Sequence, residues 1–231
     1  MHMKPVCIIP ARGGSKRIPR KNIVDFNGRP MIGWPIETAL ASGLFSQVVV
    51  TTDDEEIAEV ARKYGAAVPF IRDEKLADDF ATTADVLADC LNRLPATDFC
   101  CCLYPTAPMI TTQNLVTAWQ LLKENNAHCV LTVTEFDFHP LRAFTKNPDA
   151  SLAFHWPEHA LTRSQDLPEM LHDAGGFYFF RVESLQQSKQ LIGENTFGLP
   201  LSRSQAVDID TPEDLDFARL LHRIQIEGGQ Q

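Results

Sequence analysis

Residues 6–22 read Val-Cys-Ile-Ile-Pro-Ala-Arg-Gly-Gly-Ser-Lys-Arg-Ile-Pro-Arg-Lys-Asn. Five of them, Arg12, Lys16, Arg17, Arg20 and Lys21, are cationic, in a chain of net charge -9 that has only 21 lysines and arginines. The chemistry such a cluster suits is the binding of a polyanion. The paired Gly13 and Gly14 let backbone N–H groups approach a ligand that a Cβ would hold off. Guanidinium forks and ammonium groups match phosphate oxygens, the arginines bidentately. An apolar run ending at Pro10 precedes the loop, so the segment describes a polyphosphate cradle at the end of a strand. It is not a Walker loop, because Lys16 follows Ser15 where that pattern needs Gly-Lys-Ser/Thr. The dinucleotide pattern Gly-x-Gly-x-x-Gly is absent too.

A second group with chemical potential is Val207-Asp208-Ile209-Asp210. Alternation along a strand would aim both carboxylates at one face. Side by side they repel unless a cation joins them, and Mg²⁺ accepts one or two carboxylates alongside phosphate oxygens. The competing reading is that Asp210 only helps to cap the helix that follows.

The elements that must hold these groups alternate between strand and helix. Helical stretches are expected at 31–42, ending at Gly43, and from Asp53 as N-cap, with Ile57, Val60, Ala61 and Tyr64 as the apolar stripe. A third follows the cap residue Thr82, and a fourth spans 112–125. Strands are expected at 47–52, 67–71, 99–104 and 128–134, the third being an unbroken apolar run suited to a central position. Further strands are expected through 173–181, at 199–202 and at 206–209. The closing helix, capped by Thr211 with Pro212 at its first position, should bury Phe217, Ala218, Leu221 and Ile224, and the 228–231 tail should fray. The order predicts an α/β fold, a mostly parallel twisted sheet flanked by helices, in a single domain over 1–231. Ligands should gather at the carboxyl ends of its strands, near Pro10, Asp53 and Tyr104.

Residues 135–168 break the pattern. They are rich in aromatics, prolines and histidines and have no helical period, which reads as an extended dimerisation arm within the domain, with a lid as the alternative. Hydrophobic content of 44% and charged content of 22% are those of a globular protein. No apolar run approaches the roughly 20 residues of a membrane span. The cationic charge is local, which argues against a nucleic-acid partner. With no secretory signal read at the N-terminus, a cytoplasmic location is expected. The cysteines form no Cys-x-x-Cys pair and read as free buried thiols.

Taken together, Ala11-Arg-Gly-Gly-Ser-Lys16 with Arg20-Lys-Asn22, Leu103-Tyr-Pro-Thr-Ala-Pro108, Arg163-Ser-Gln-Asp166 and Asp208-Ile-Asp210 resemble the sugar cytidylyltransferases, that is, the CMP-sialic acid synthetases and their relatives. The Arg17 variant of the loop, the Tyr-Pro-Thr-Ala-Pro form and Asp173-Ala-Gly175 look most like the branch that acts on pseudaminic acid. Gly176 and Phe179 stand where that branch usually has Gln and Trp.

The resemblance implies a Rossmann-like nucleotidyltransferase fold, a homodimer that exchanges its arm, and transfer of CMP from CTP to the anomeric hydroxyl of an acidic keto-sugar, with Mg²⁺ required and pyrophosphate released. It implies Ala11, Arg12, Gly13, Gly14, Ser15, Lys16, Lys21, Asn22 and Thr82 as nucleotide contacts. Arg12, Lys21 and Asp210 become the catalytic candidates, and Asp208 with Asp210 the metal pair. Tyr104, Arg163, Gln165, Phe177 and Tyr178 fall on the sugar side. The sugar could equally be a sialic, legionaminic or 3-deoxy-octulosonic acid, and a non-catalytic nucleotide sensor on the same fold is the rival outside catalysis. The general base, the number of metal ions and the order of binding are left open.

Overall fold

The computed structural model describes residues 4–78 and 80–228, so the end of the 228–231 tail lies outside the described residues. Its strands and helices in chain order are β1 (Val6–Pro10), β2 (Asp25–Phe26), β3 (Arg29–Pro30), α1 (Gly33–Ala41), β4 (Gln47–Thr51), α2 (Glu55–Lys63), α3 (Thr83–Arg93), β5 (Phe99–Leu103), α4 (Thr112–Glu124), β6 (Cys129–Glu135), β7 (Phe144–Lys146), β8 (Leu152–Phe154), β9 (Leu171–Arg181), α5 (Val182–Ser188), β10 (Thr196–Pro200) and α6 (Pro212–Gly228).

Six strands form one sheet in the order β10-β6-β9-β5-β1-β4. The pairs β1–β4, β1–β5 and β10–β6 are parallel, while β9 lies antiparallel between β5 and β6. β1 and β5 are apolar without interruption because helices cover both faces, as expected for central parallel strands. Alternation along β9 sends Phe177 and Phe179 into the core under α1, α2 and α4, and Tyr178 and Phe180 into the core under α3 and α5. The cysteines are free and buried, and burial pushes the Cys90 and Cys129 thiols up to about 12, so they pack as small hydrophobes.

The helices start where side chains satisfy their first N–H groups. Thr82 with Asp85 and Thr111 with Asn114 form capping boxes. Thr211 Oγ1 accepts from Asp214 N at 3.2 Å while Asp214 Oδ2 accepts from Thr211 N at 2.7 Å. Each such cap stabilises by about 1 kcal/mol. The α2 cap is Asp54 rather than the expected Asp53: its Oδ1 accepts from Ile57 N at 3.0 Å.

Three further expectations are corrected. Residues 67–71 contribute only the single bridges Val49–Ala67 and Thr52–Ile71 to the sheet edge. Residues 206–209 form no strand, since β10 ends at Pro200 and the chain then turns toward α6. On α6 the buried residues are Leu215, Ala218 and His222, while Phe217 and Ile224 are more than half exposed. A histidine replaces an apolar residue on the buried stripe: His222 packs edge-on against Phe26 and Trp34 and takes a hydrogen bond from Asn27.

Residues 136–170 leave the sheet between β6 and β9. They form the β7–β8 hairpin and three short 3-10 turns, with Phe138 and Leu161 almost wholly exposed. No helix among the described residues is long and apolar enough to cross a membrane.

Candidate active site

The phosphate-loop sequence leaves the carboxyl end of β1, where Ala11 N donates to Thr51 O at 3.0 Å and fixes the loop against β4. Gly13 N donates to Asp53 Oδ1 at 3.0 Å. A Cβ at position 13 would stand 2.8 Å from Asp54 Oδ2, so only glycine lets the loop sit this close to α2. No such crowding meets Gly14. Asn22, buried, donates from Nδ2 to Arg12 O at 2.9 Å and closes the loop on itself.

This arrangement leaves a cleft of about 400 Å³ at the carboxyl ends of β1 and β5. Arg12, Ser15, Lys16, Arg17, Lys21 and Asn22 line one side, and Thr83, Tyr104, Pro105 and Thr106 the other. Of the expected nucleotide contacts, Arg12, Ser15, Lys16, Lys21 and Asn22 line this cleft, whereas Ala11, which is buried, Gly13, Gly14 and Thr82 do not. Arg20 is turned away, its guanidinium gripping Asp54 and Glu56. Thr82 is not part of the cleft wall; its hydroxyl bonds Asp85 at 2.6 Å, and the adjacent Thr83 faces the cleft instead.

The acidic pair lies just behind the cations. Asp210 Oδ2 is 2.8 Å from Arg17 Nη2, and Asp210 Oδ1 is 3.2 Å from Lys21 Nζ, which also donates to Ile209 O at 2.7 Å. Asp208 is partly shielded from water. Burial and then the Asp210 charge push its carboxyl above the ordinary range, with Lys21 and Arg17 pulling it back. The Asp214 carboxylate accepts from Asp210 N at 3.1 Å, so the cap of α6 also fixes the backbone at Asp210. The backbone of Asp210 thus joins the cap, as the capping reading expects, while its carboxylate is paired with Arg17 and Lys21.

On the sugar side the picture is mixed. Tyr104 lines the cleft. Phe177 does not: it is wholly buried and packs edge-on against Phe179, which corrects its reading as a substrate contact. Tyr178 is buried one step behind Tyr104, with ring centroids 5.8 Å apart. Arg163 and Gln165 sit out on the 136–170 excursion, with Arg163 paired to Asp166 at 2.8 Å, and neither lines the cleft of its own chain. The departure at Gly176 has a local cause. A Cβ there would come within 2.9 Å of Thr132 Oγ1 and 3.0 Å of Ile110 Cδ1.

Sequence reasoning missed Arg72. The residue is 4% exposed and lines the cleft, its guanidinium lies 3.5 Å from both Thr51 O and Asp53 Oδ1, and its Nε has no partner. Burial lowers its pKa and Asp53 opposes that shift. A lone arginine after a short apolar stretch gave no signal, because its burial depends on loop packing that no periodicity encodes.

Comparison with known proteins gives a consistent result. A model of the cytidylyltransferase family matches residues 6–225. The chain is 43% identical over 229 residues to a pseudaminic acid cytidylyltransferase of Campylobacter jejuni subsp. jejuni serotype O:2, covering 97% of this chain and 99% of that one. It is 30% identical over 215 residues to an N-acylneuraminate cytidylyltransferase of Streptococcus agalactiae serotype V, covering 92% of this chain and 52% of that one. A CMP:2-keto-3-deoxy-manno-octonic acid synthetase complexed with CTP shares the fold, with a TM-score of 0.72 at 22% identity over 96% of this chain and 99% of that one. With its cationic loop and cleft at the carboxyl end of β1, the chain belongs to the cytidylyltransferase family.

Proposed function

We propose that the protein transfers CMP from CTP to the anomeric hydroxyl of pseudaminic acid and releases pyrophosphate. The observation that carries the reading is the 43% identity to a pseudaminic acid cytidylyltransferase over essentially its whole length, coinciding with a cleft walled by Arg12, Lys16, Lys21 and Arg72. The sugar hydroxyl oxygen attacks the α-phosphorus and gives up its proton to water, a P–O bond forms, and the bond from the α-phosphorus to the bridging oxygen breaks as pyrophosphate leaves in line. Such transfer is chiefly positioning and charge stabilisation. Arg12 and Lys21 hold the triphosphate and take up charge on the leaving group. Ser15, Lys16 and the Gly13–Gly14 backbone orient the phosphates, and Asn22 keeps the loop in shape. Arg72 adds a desolvated cation to the wall.

Asp208 and Asp210 fit Mg²⁺. Their oxygens are hard ligands two residues apart beside the cationic cleft, the donor chemistry that Mg²⁺ takes alongside phosphate oxygens. No group of three or more metal-ligating side chains exists among the described residues, which suits an ion shared with substrate phosphates. When bound, Mg²⁺ would supply neutralisation of the triphosphate charge.

The reading extends to a cytoplasmic homodimer. Free buried thiols suit a reducing compartment. Phe138 and Leu161, 91% and 97% exposed on the arm, suit burial against a second copy, where Arg163 and Gln165 would reach the neighbour's cleft. A related acidic keto-sugar is the second reading, favoured by the likeness to an N-acylneuraminate cytidylyltransferase. Pyrophosphate release from CTP, measured with pseudaminic, sialic, legionaminic and 3-deoxy-octulosonic acids in parallel, decides between them. Release with none of these would overturn the catalytic reading.

A further inference from the structure

Arg17 lines the cleft beside Lys16, yet its guanidinium is turned onto the acidic pair, with Nη2 2.8 Å from Asp210 Oδ2. Lys21 Nζ takes the other oxygen, Oδ1, at 3.2 Å. Both oxygens of Asp210 are therefore covered by cations of the phosphate loop. The approach does not rest on these ion pairs alone. Ile18 and Ile209, the chain neighbours of Arg17 and Asp210, are buried in one core cluster with Phe26, Met31 and Leu215, which brings the loop and the Asp208–Asp210 segment together.

The two cations are held unequally. The Lys21 side chain is 20% exposed and also donates to Ile209 O at 2.7 Å, so a backbone carbonyl keeps it in place. The Arg17 side chain is 67% exposed and stands on a bend, outside any helix or strand. An ion pair that open to water contributes little and is readily exchanged. Asp208 and Asp210 are matched by Lys21 and Arg17, so a divalent cation arriving alone meets no net negative charge and must displace a partner to bind. A triphosphate changes the balance, because its oxygens accept the guanidinium fork as well as a carboxylate does.

Building on the reading of Asp208 and Asp210 as the Mg²⁺ pair, we propose that Arg17 is a displaceable counter-ion that couples metal binding to nucleotide binding. In the free protein it holds the Asp210 carboxylate against a lone divalent cation. When CTP and Mg²⁺ enter together, Arg17 leaves Asp210 for the triphosphate while Lys21 stays. One side chain thereby weakens metal binding in the free protein and strengthens nucleotide binding once the metal is in place. The coupling is reciprocal: a nucleotide that draws Arg17 away strengthens metal binding by the same factor.

The test uses Arg17→Gln, Arg17→Lys, Asp210→Asn and the double variant of Arg17→Gln with Asp210→Asn, all in the full-length protein. Mn²⁺ alone is the probe, its binding read by electron paramagnetic resonance without nucleotide. Arg17→Gln should bind Mn²⁺ about fivefold more tightly than the wild-type protein, the scale of one partly exposed ion pair removed as a competitor. Arg17→Lys keeps the charge and should stay close to the wild-type value. Asp210→Asn should lose most of the binding, and the double variant should do no better than Asp210→Asn alone. Calorimetry with CTP reads the other half. In saturating Mg²⁺, Arg17→Gln should weaken CTP binding about tenfold, as for one charge-assisted phosphate contact, and with the metal chelated by less than about threefold. Equal weakening with and without metal is what a fixed cation of the wall gives, and it would overturn the proposal. So would an unchanged Mn²⁺ affinity in Arg17→Gln, or a gain that persists beside Asp210→Asn. The metal reading fails in a different way: full Mn²⁺ binding by Asp210→Asn removes the ion from Asp210 and takes the proposal with it. Loss in Asp210→Asn with no gain in Arg17→Gln keeps the metal pair and overturns the role of Arg17 alone.

Discussion

Arg20 and Asp54 are joined by two parallel hydrogen bonds, one of 2.9 Å, although they lie 34 residues apart. The same carboxylate caps α2 through Ile57 N, and the Arg20 guanidinium holds its carboxyl below the usual carboxylate range. Arg20 itself adopts a left-handed backbone, φ 58°, which an L-residue keeps only when its surroundings insist on it. One of the five loop cations is thus structural. It ties the far end of the phosphate loop to the helix whose start also anchors Gly13 through Asp53.

Asp54→Asn tests that clasp. Asparagine caps helices as well as aspartate, so α2 should survive while the charge facing Arg20 disappears. The expected outcome is a KM for CTP raised about tenfold, as for loss of one charge-assisted pairing, with melting temperature nearly unchanged. An unaltered KM would show that the loop keeps its shape without the pair.

Asp210→Asn separates catalysis from binding. The amide keeps an oxygen but loses the charge that faces Arg17 and Lys21 and that would hold the proposed Mg²⁺. CTP binding should stay within about tenfold, while kcat falls at least about 10²-fold, the scale of one lost electrostatic stabiliser. Titration calorimetry and pyrophosphate release on the same folded protein check both numbers. Near-normal turnover would leave Asp210 with only its place beside the α6 cap.

Removing the arm addresses assembly. A chain with residues 136–167 replaced by a short turn should, on the dimer proposal, be monomeric by light scattering and have little activity, because the proposed contacts of Arg163 and Gln165 with a neighbouring cleft are removed. A fully active monomer would refute the dimer reading.

His222 gives a pH dependence. Burial holds this imidazole below its ordinary value of 6.5, so the unfolded chain binds a proton more readily than the folded one. Its contribution is fully present above about 6.5, the unfolded pKa, and is lost as pH falls through the lower folded value. His222→Gln offers Asn27 an uncharged acceptor. It should flatten the fall in melting temperature between about pH 7 and 5; a slope identical to that of the wild-type protein would place the sensitivity elsewhere.

Much of this was legible in the residues. The runs of β1, β4, β5 and β6 are too continuously apolar for anything but covered strands, and the threonine caps Thr82 and Thr211 mark where α3 and α6 begin. The loop was readable because Gly13 and its cations have few structural uses together. What stayed hidden depended on distant partners. Asp53 and Asp54 are equivalent caps by type, and only the approach of Gly13 and Arg20 separates them. Phe177 and Tyr178 differ by one step on β9, and the antiparallel direction of that strand, which decides what each meets, leaves no trace in an apolar run. The α6 stripe was misplaced because His222 counts as polar until Asn27 satisfies it.

The 136–170 excursion leaves from the end of β6 and re-enters at the start of β9, two strands that lie side by side. Its two stems therefore meet at one point on the rim, where Glu135 pairs with Leu171. A protease that cuts inside it should leave a nicked protein whose halves stay zipped together through β6 and β9 and co-migrate until denatured. The same geometry makes the excursion a detachable cassette. Related chains can lengthen, shorten or exchange it without re-threading the sheet, while the loop at Gly13 stays where β1 puts it.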